Sequence, residues 1–165
     1  MGAMAKTFTG STTYPDVDVD AVYTRHTDAE FLRRKFEALG AREIVIDVAG
    51  EGDRVTLTID RKVDADVPGF AKKVISPSNT IHLVEEWRPE GDGYICDWKA
   101  ESSPAPARLS GTRTFEPSGA GTADETIGSI EVKIPLIGGK LADWLAGEAG
   151  RELQDELAWI SGQPG

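Results

Sequence analysis

Thr126-Ile127-Gly128-Ser129-Ile130-Glu131-Val132-Lys133-Ile134, followed by Pro135-Leu136-Ile137-Gly138-Gly139, is the stretch that decides the fold. Its first part alternates with the period of a strand. The proline and paired glycines break that period, and from Lys140 to Ile160 the apolar residues recur with the period of a helix. Leu141, Leu145, Ala149, Leu153 and Leu157 form an i, i+4 seam bordered by Trp144, Glu148 and Ile160. A last strand thus hands over to one long closing helix. About twenty helical residues span roughly 30 Å, and eight or nine strand residues span about 28 Å. The helix is long enough to lie along a whole sheet. Gly147 and Gly150 each cost about 1 kcal/mol inside a helix. They mark a bend that opens space beneath it, a close approach to a strand, or mere surface variation.

Working back from this stretch, the chain reads as hairpins. Phe8, Gly10, Thr12 and Tyr14 alternate with Thr7, Thr9, Ser11 and Thr13 in a first strand. Asp16 is expected to cap a short helix through about His26. Thr27-Asp28-Ala29-Glu30 matches a capping box for a second helix carrying Phe31, Leu32, Phe36 and Leu39, which stops at Gly40. A turn at Glu51-Gly52 would pair Val48 with Val55, Ile46 with Leu57 and Ile44 with Ile59. A turn near Gly91-Asp92 puts Ile81, Leu83, Glu85 and Trp87 on one face with Tyr94, Cys96, Trp98 and Ala100. Leu109, Gly111, Arg113 and Phe115 continue that face. Gly119-Ala120-Gly121 turns into the last strand, with Thr126, Gly128, Ile130, Val132 and Ile134 inward. Asp64 to Thr80 reads as a connector with apolar anchors and a single helical turn, or as a lid at a cavity mouth.

The order is strand, two helices, six strands, one helix. Hairpins dominate, so the class is α+β with a curved antiparallel sheet of about seven strands (β-α-α-β6-α) around the C-terminal helix. The 165 residues fit one domain, taken as 4–161, and Met1-Gly2-Ala3 looks like an expression scar before a natural start at Met4. No run of about 18 apolar residues exists, so no membrane insertion is expected. No signal peptide is visible at the N-terminus. A net charge of −10 argues against nucleic acid. The one basic run, Arg33-Arg34-Lys35, reads as a solvated helix face beside Glu30 and Glu37. With Cys96 as the only cysteine there is no internal disulfide, which fits a cytoplasmic location, and no Cys-His metal cluster. Asp16, Asp18 and Asp20 lack the later glycine and glutamate of a calcium loop. Neither metal nor cofactor is expected, and the oligomeric state is left open.

Chemistry-bearing residues are few. His26 lies at a helix end, and His82 on the outer face of a strand. Neither stands at a recognised motif spacing from a nucleophile. Cys96 reads as a buried, inert thiol. Inward charges need partners, a wet pocket or a ligand. Glu85 and Arg113, one strand apart, are within bridging reach across Trp98 and form a candidate polar anchor in an apolar pocket. The candidate cavity-lining residues are Leu83, Glu85, Trp87, Tyr94, Cys96, Trp98, Arg113, Phe115, Ile130, Leu145 and Ala149. Small inner residues Gly10, Ala100, Gly111 and Gly128 either leave volume under the helix or permit bends in the sheet.

Tyr14-Pro15, Thr27-Asp28-Ala29-Glu30-Phe31-Leu32 and Val132-Lys133-Ile134-Pro135-Leu136-Ile137-Gly138-Gly139-Lys140-Leu141 carry a family resemblance. The chain resembles the START-like, or birch-pollen-allergen-like, superfamily of helix-grip folds. Within it, the chain is similar to the family called domain of unknown function 2505. The resemblance implies an apolar cavity between sheet and helix, in a superfamily that binds lipids, sterols, polyketides or plant hormones and includes some enzymes. It carries over no catalytic residue. The expected function is non-catalytic binding of a small hydrophobic ligand. The alternatives are a cyclase- or hydrolase-like enzyme using Glu85, Arg113 and Tyr94, or an interaction module with a filled interior.

Overall fold

A computed structural model describes residues 4–104 and 107–164. The proposed scar at 1–3 lies outside them. The elements run β1 (Met4–Tyr14), α1 (Val19–His26), α2 (Ala29–Ala38), β2 (Arg42–Glu51), β3 (Arg54–Asp64), β4 (Ser78–Glu90), β5 (Gly93–Ser103), β6 (Ala107–Ser118), β7 (Gly121–Val132) and α3 (Gly138–Ser161). All strand pairs are antiparallel, in the order β1-β7-β6-β5-β4-β3-β2. The sheet curves around α3, which packs chiefly on β1 and β7. This is an α+β helix-grip fold. Among the described residues, no helix is long and apolar enough to cross a membrane.

Local chemistry sets the helix starts, with two differences from the sequence reading. Asp18, not Asp16, caps α1, its Oδ1 accepting from the Ala21 amide at 2.8 Å. Asp28, not Thr27, caps α2, its Oδ2 accepting from the Phe31 amide. The Thr27 hydroxyl instead donates back to the Tyr23 carbonyl and closes α1. The carboxylates won because an Asx side chain reaches the second or third free amide of a new helix without strain.

The register reproduces the expected faces. Glu85 stands opposite Trp98, and Trp87 opposite Cys96. In the first hairpin the pairing is two residues off, with Val48 opposite Leu57 and Ile46 opposite Ile59, because the turn falls at Gly52-Asp53. An even slip leaves the faces unchanged. A bulge between Arg42 and Val45 shifts the pairing there, while Ile44 stays buried and Val45 exposed, as the alternation expects.

Along α3 the seam is uneven. Leu141, Leu153, Leu157 and Ile160 are buried, while Leu145 and Ala149 are half-buried. α3 runs unbroken through Gly147 and Gly150, and a methyl at either would meet nothing within 4 Å. Close packing therefore explains neither glycine. Gly10 does have that role: a Cβ there would lie 2.5 Å from Leu153 Cδ2. Gly128 is covered by the Phe8 ring, and Gly111 by the β7 backbone. The inner-face glycines admit close contacts and leave no free volume. The connector before β4 contains one 3-10 turn, Gly69–Ala71, and anchors Val67, Ala71 and Ile75 in a core cluster with Leu141 and Ala142.

Candidate functional site, a cleft between the closing helix and the sheet

The register lays the inner face out in rows across the strands. The row Trp87, Cys96, Arg113, Thr126 and Gly10 belongs to the end covered by α1 and α2. Next come Glu85, Trp98, Gly111 and Gly128, and then Leu83, Ala100, Leu109 and Ile130. At the other end stand Arg61, Ile81, Ser102, Ala107 and Val132. The middle of α3 passes over these last rows, and there it stands off the sheet.

The space left is a cleft of about 560 Å³. Its apolar walls include Ile81, Leu109, Ile130, Trp144, Leu145 and Ala149, and its rim carries Asp64, Glu148, Arg151 and Asp155. A smaller chamber of about 190 Å³ shares Val63, Ile81, Leu109 and Ala149 with the cleft and reaches toward the covered end. Its polar lining residues are Arg61, Glu85, Glu101, Ser102, Arg113, Thr126, Glu152 and Glu156, with Trp98 beside them. A pocket of a few hundred Å³ with apolar walls and a few placed polar groups has the form of a small-molecule site.

Of the candidate residues, Leu83, Glu85, Trp98 and Arg113 line the inner chamber, Ile130 and Leu145 the outer cleft, and Ala149 both. Trp87, Tyr94, Cys96 and Phe115 line neither. Those four lie toward the covered end, where helices rather than space meet the sheet. Trp87 stacks on Phe115 at 4.7 Å. The Tyr94 ring stacks on Tyr23 at 3.8 Å. Its hydroxyl donates to Asp20 at 2.6 Å, and that bond pushes its pKa up to about 12. Burial, with Glu85 nearby, pushes the Cys96 thiol far up, so it is no nucleophile at neutral pH.

Glu85 and Arg113 both point inward but do not pair. Arg113 is used up by a buried ionic network. Its Nε and Nη2 donate to both oxygens of Asp124, at 3.0 and 2.7 Å, and its Nη1 donates to Glu156 at 2.8 Å. Tyr14 donates to Asp124 at 2.6 Å, and Lys35 holds the other Glu156 oxygen at 2.9 Å. Two cations meet two anions, and every Arg113 nitrogen is satisfied. Burial alone would raise the Glu156 carboxyl. Lys35 and Arg113 outweigh it and hold the group well below the usual carboxylate range. Burial likewise opposes the charge on Arg113, yet Asp124 and Glu156 raise its pKa above the normal value. His26 is buried beside this network, and burial together with Arg113 and Lys35 lowers its pKa to about 3. The network ties α2, α3, β1, β6 and β7 together.

Sequence reasoning missed four charged members of this interior. Asp124 lies two residues before the point where the last strand was expected to begin, and Arg61 two beyond the Val55-Leu57-Ile59 face. Lys35 follows Phe31 by one turn, and Glu156 sits between Leu153 and Ile160 on the seam. Simple extension of each period finds them. Lys35 in particular is buried and corrects the reading of Arg33-Arg34-Lys35 as a solvated face. Glu85 has no ion-pair partner among the described residues; its Oε1 accepts from the Trp87 indole at 3.3 Å. His82 faces outward and bonds Asp60. Among the described residues no cluster of His, Cys, Asp and Glu could hold a metal.

Comparison with known proteins agrees with this architecture. Residues 9–161 match the profile of the family described as Protein of unknown function (DUF2505). No curated protein matches the sequence. Among solved structures, TTHA0849 from Thermus thermophilus is similar with a TM-score of 0.62 and 19% identity over 94% of both chains. A STAR-related lipid transfer protein from Xanthomonas axonopodis gives 0.57 and 16%, covering 95% of this chain and 86% of that one. A norcoclaurine synthase of Thalictrum, crystallised with a transition-state analogue, gives 0.55 and 13%, covering 98% and 96%. At these identities the likeness shows the fold.

Proposed function

We propose that this chain, which belongs to the DUF2505 family within the START-like superfamily, binds a small apolar molecule in the cleft between α3 and the sheet. One observation carries the reading. The closing helix is buried at both ends, yet half-exposed at Leu145 and Ala149, over a cleft of about 560 Å³. A helix meant only to seal a core would bury its whole seam. The lipid transfer protein among the structural relatives supports the same use of this fold. Binding without catalysis is the simpler form of the proposal, because Arg113 and Glu156 are held by each other and their partners.

A second reading is acid–base catalysis by Glu85, since the norcoclaurine synthase is an enzyme on this fold and Glu85 is a chamber carboxylate with no cation on it among the described residues. Native mass spectrometry of the protein purified from its own host tests the first reading. The expected result is an added mass, lost on denaturation, that belongs to an apolar molecule. A bare chain that also fails to take up apolar dyes would contradict it. Glu85→Gln then separates the two readings: retained ligand with lost turnover would favour the enzyme.

A further inference from the structure

Glu85 is the odd charge of the inner chamber. It is 9% exposed and lines that chamber. Every other charged chamber residue is met by a counter-charge: Arg61 and Glu152 by each other, Arg113 and Glu156 by each other, and Glu101 by Arg108. Glu85 has none among the described residues. Its Oε1 accepts from the Trp87 indole at 3.3 Å, while its Oε2 accepts from no described donor and still keeps accessible surface. A buried carboxylate is unfavourable until a cation reaches it.

The surroundings of Glu85 suit one kind of cation. Trp98 stands directly opposite it across β4 and β5. Phe8 packs on that indole with ring centroids 6.1 Å apart, and both rings line the chamber. One carboxylate among aromatic rings favours an organic ammonium. A hard metal ion would need several oxygen ligands, and no such cluster exists among the described residues. The approach selects the same sign. The outer cleft carries four carboxylates against one cation, Arg151, and the chamber four against two, Arg61 and Arg113, with Glu152 common to both. Arg151 is itself bonded to Glu148. An anion would find each guanidinium taken, whereas the field of a chain of charge −10 draws cations in. Cleft and chamber share Val63, Ile81, Leu109 and Ala149, so one molecule can occupy both. Resting on the apolar-ligand reading, we infer that the ligand is an amine-bearing apolar molecule. Its hydrocarbon body fills the cleft, and its protonated nitrogen enters the chamber and donates to Glu85 beside Trp98.

Four bicyclic probes of one shape test this: tetralin, 2-tetralol, 2-aminotetralin and 1,2,3,4-tetrahydro-2-naphthoate. Each is titrated at pH 7 against the purified protein by displacement of a neutral fluorescent dye. The amine should bind about tenfold more tightly than tetralin, and more tightly than the alcohol, with the carboxylate weakest. In Glu85→Gln, which is nearly isosteric, the preference for the amine should fall to near parity while tetralin affinity holds. If that variant does not fold, Glu85→Met serves the same comparison. Equal binding of the amine and tetralin, or of the amine and the alcohol, would overturn the inference and leave the apolar-ligand reading standing. Tightest binding by the carboxylate would reverse the sign of the charge and overturn it as well. A preference that survives in Glu85→Gln would remove Glu85 from the role, and its loss in about 0.5 M salt would then put the amine on the acidic rim. Failure of all four probes to bind would sink the parent reading and this one together.

Discussion

The C-terminal half and the middle of α3 meet the same sheet in opposite ways. In the C-terminal half, Leu153 and Leu157 close over Gly10, and Glu156 is locked between Arg113 and Lys35. In the middle, Leu145 and Ala149 stand over open space. The difference lies in what the sheet offers each turn. Under Leu153 it presents a glycine and, beside Glu156, a buried guanidinium. Leu145 instead faces a cleft that Leu109 and Ile130 of the sheet also line. One helix thus clamps at one end and roofs a cleft along its middle.

The clamp breaks most visibly at its charges. Asp124→Ala leaves Arg113 buried with half its compensation, and should cost about 3–5 kcal/mol in urea unfolding. A loss under about 1 kcal/mol would mean that water reaches the network and that the two halves of the helix are less different than described.

Paired leucine truncations sharpen the comparison next. Leu153→Ala should cost about 2–5 kcal/mol. Leu145→Ala should cost about 1 kcal/mol or less, but should weaken uptake of an apolar probe. Equal stability losses from the two variants would erase the distinction between clamp and roof.

Acid should loosen the clamp gradually. Above pH 6.5 His26 is neutral in both states and its contribution is constant. Below 6.5 the unfolded chain takes up a proton that the folded chain refuses until about pH 3. Stability therefore falls with falling pH, by about 1.4 kcal/mol per unit. Glu156, depressed in the folded state, adds a second loss of the same sign below its ordinary range. Urea midpoints at pH 7, 6 and 5 check this, and His26→Leu should flatten the slope over that range. An unchanged slope would show that His26 protonates without cost.

Much of the fold was legible because strand parity tolerates error. The first hairpin slipped by two residues, yet Ile44, Leu57 and Ile59 are still buried, and of that face only Val48, close to the turn, is exposed. Helix caps were legible only to within two residues, since Asp16, Asp18, Thr27 and Asp28 are all competent caps and only backbone geometry chooses among them. The site was half legible. Its apolar walls followed from period, whereas the fate of Arg113 depended on which carboxylates the third dimension brings near. Glu85 stands on the next strand but one, close in sequence register. Glu156 is 43 residues away on a helix, yet it is the one that pairs. No local pattern encodes the height of α3 above the sheet, so the ionic network could not be read beforehand.

The central claim, that the space under the middle of α3 is a binding site, is tested most directly by filling it. A neutral solvatochromic dye would be titrated into the unmodified protein, an Ala149→Trp variant and an Ala158→Trp control, whose substitution lies on the exposed face of the same helix. The account predicts tenfold or greater loss of dye affinity in Ala149→Trp and no change in Ala158→Trp. Undiminished binding by a folded Ala149→Trp protein would contradict it.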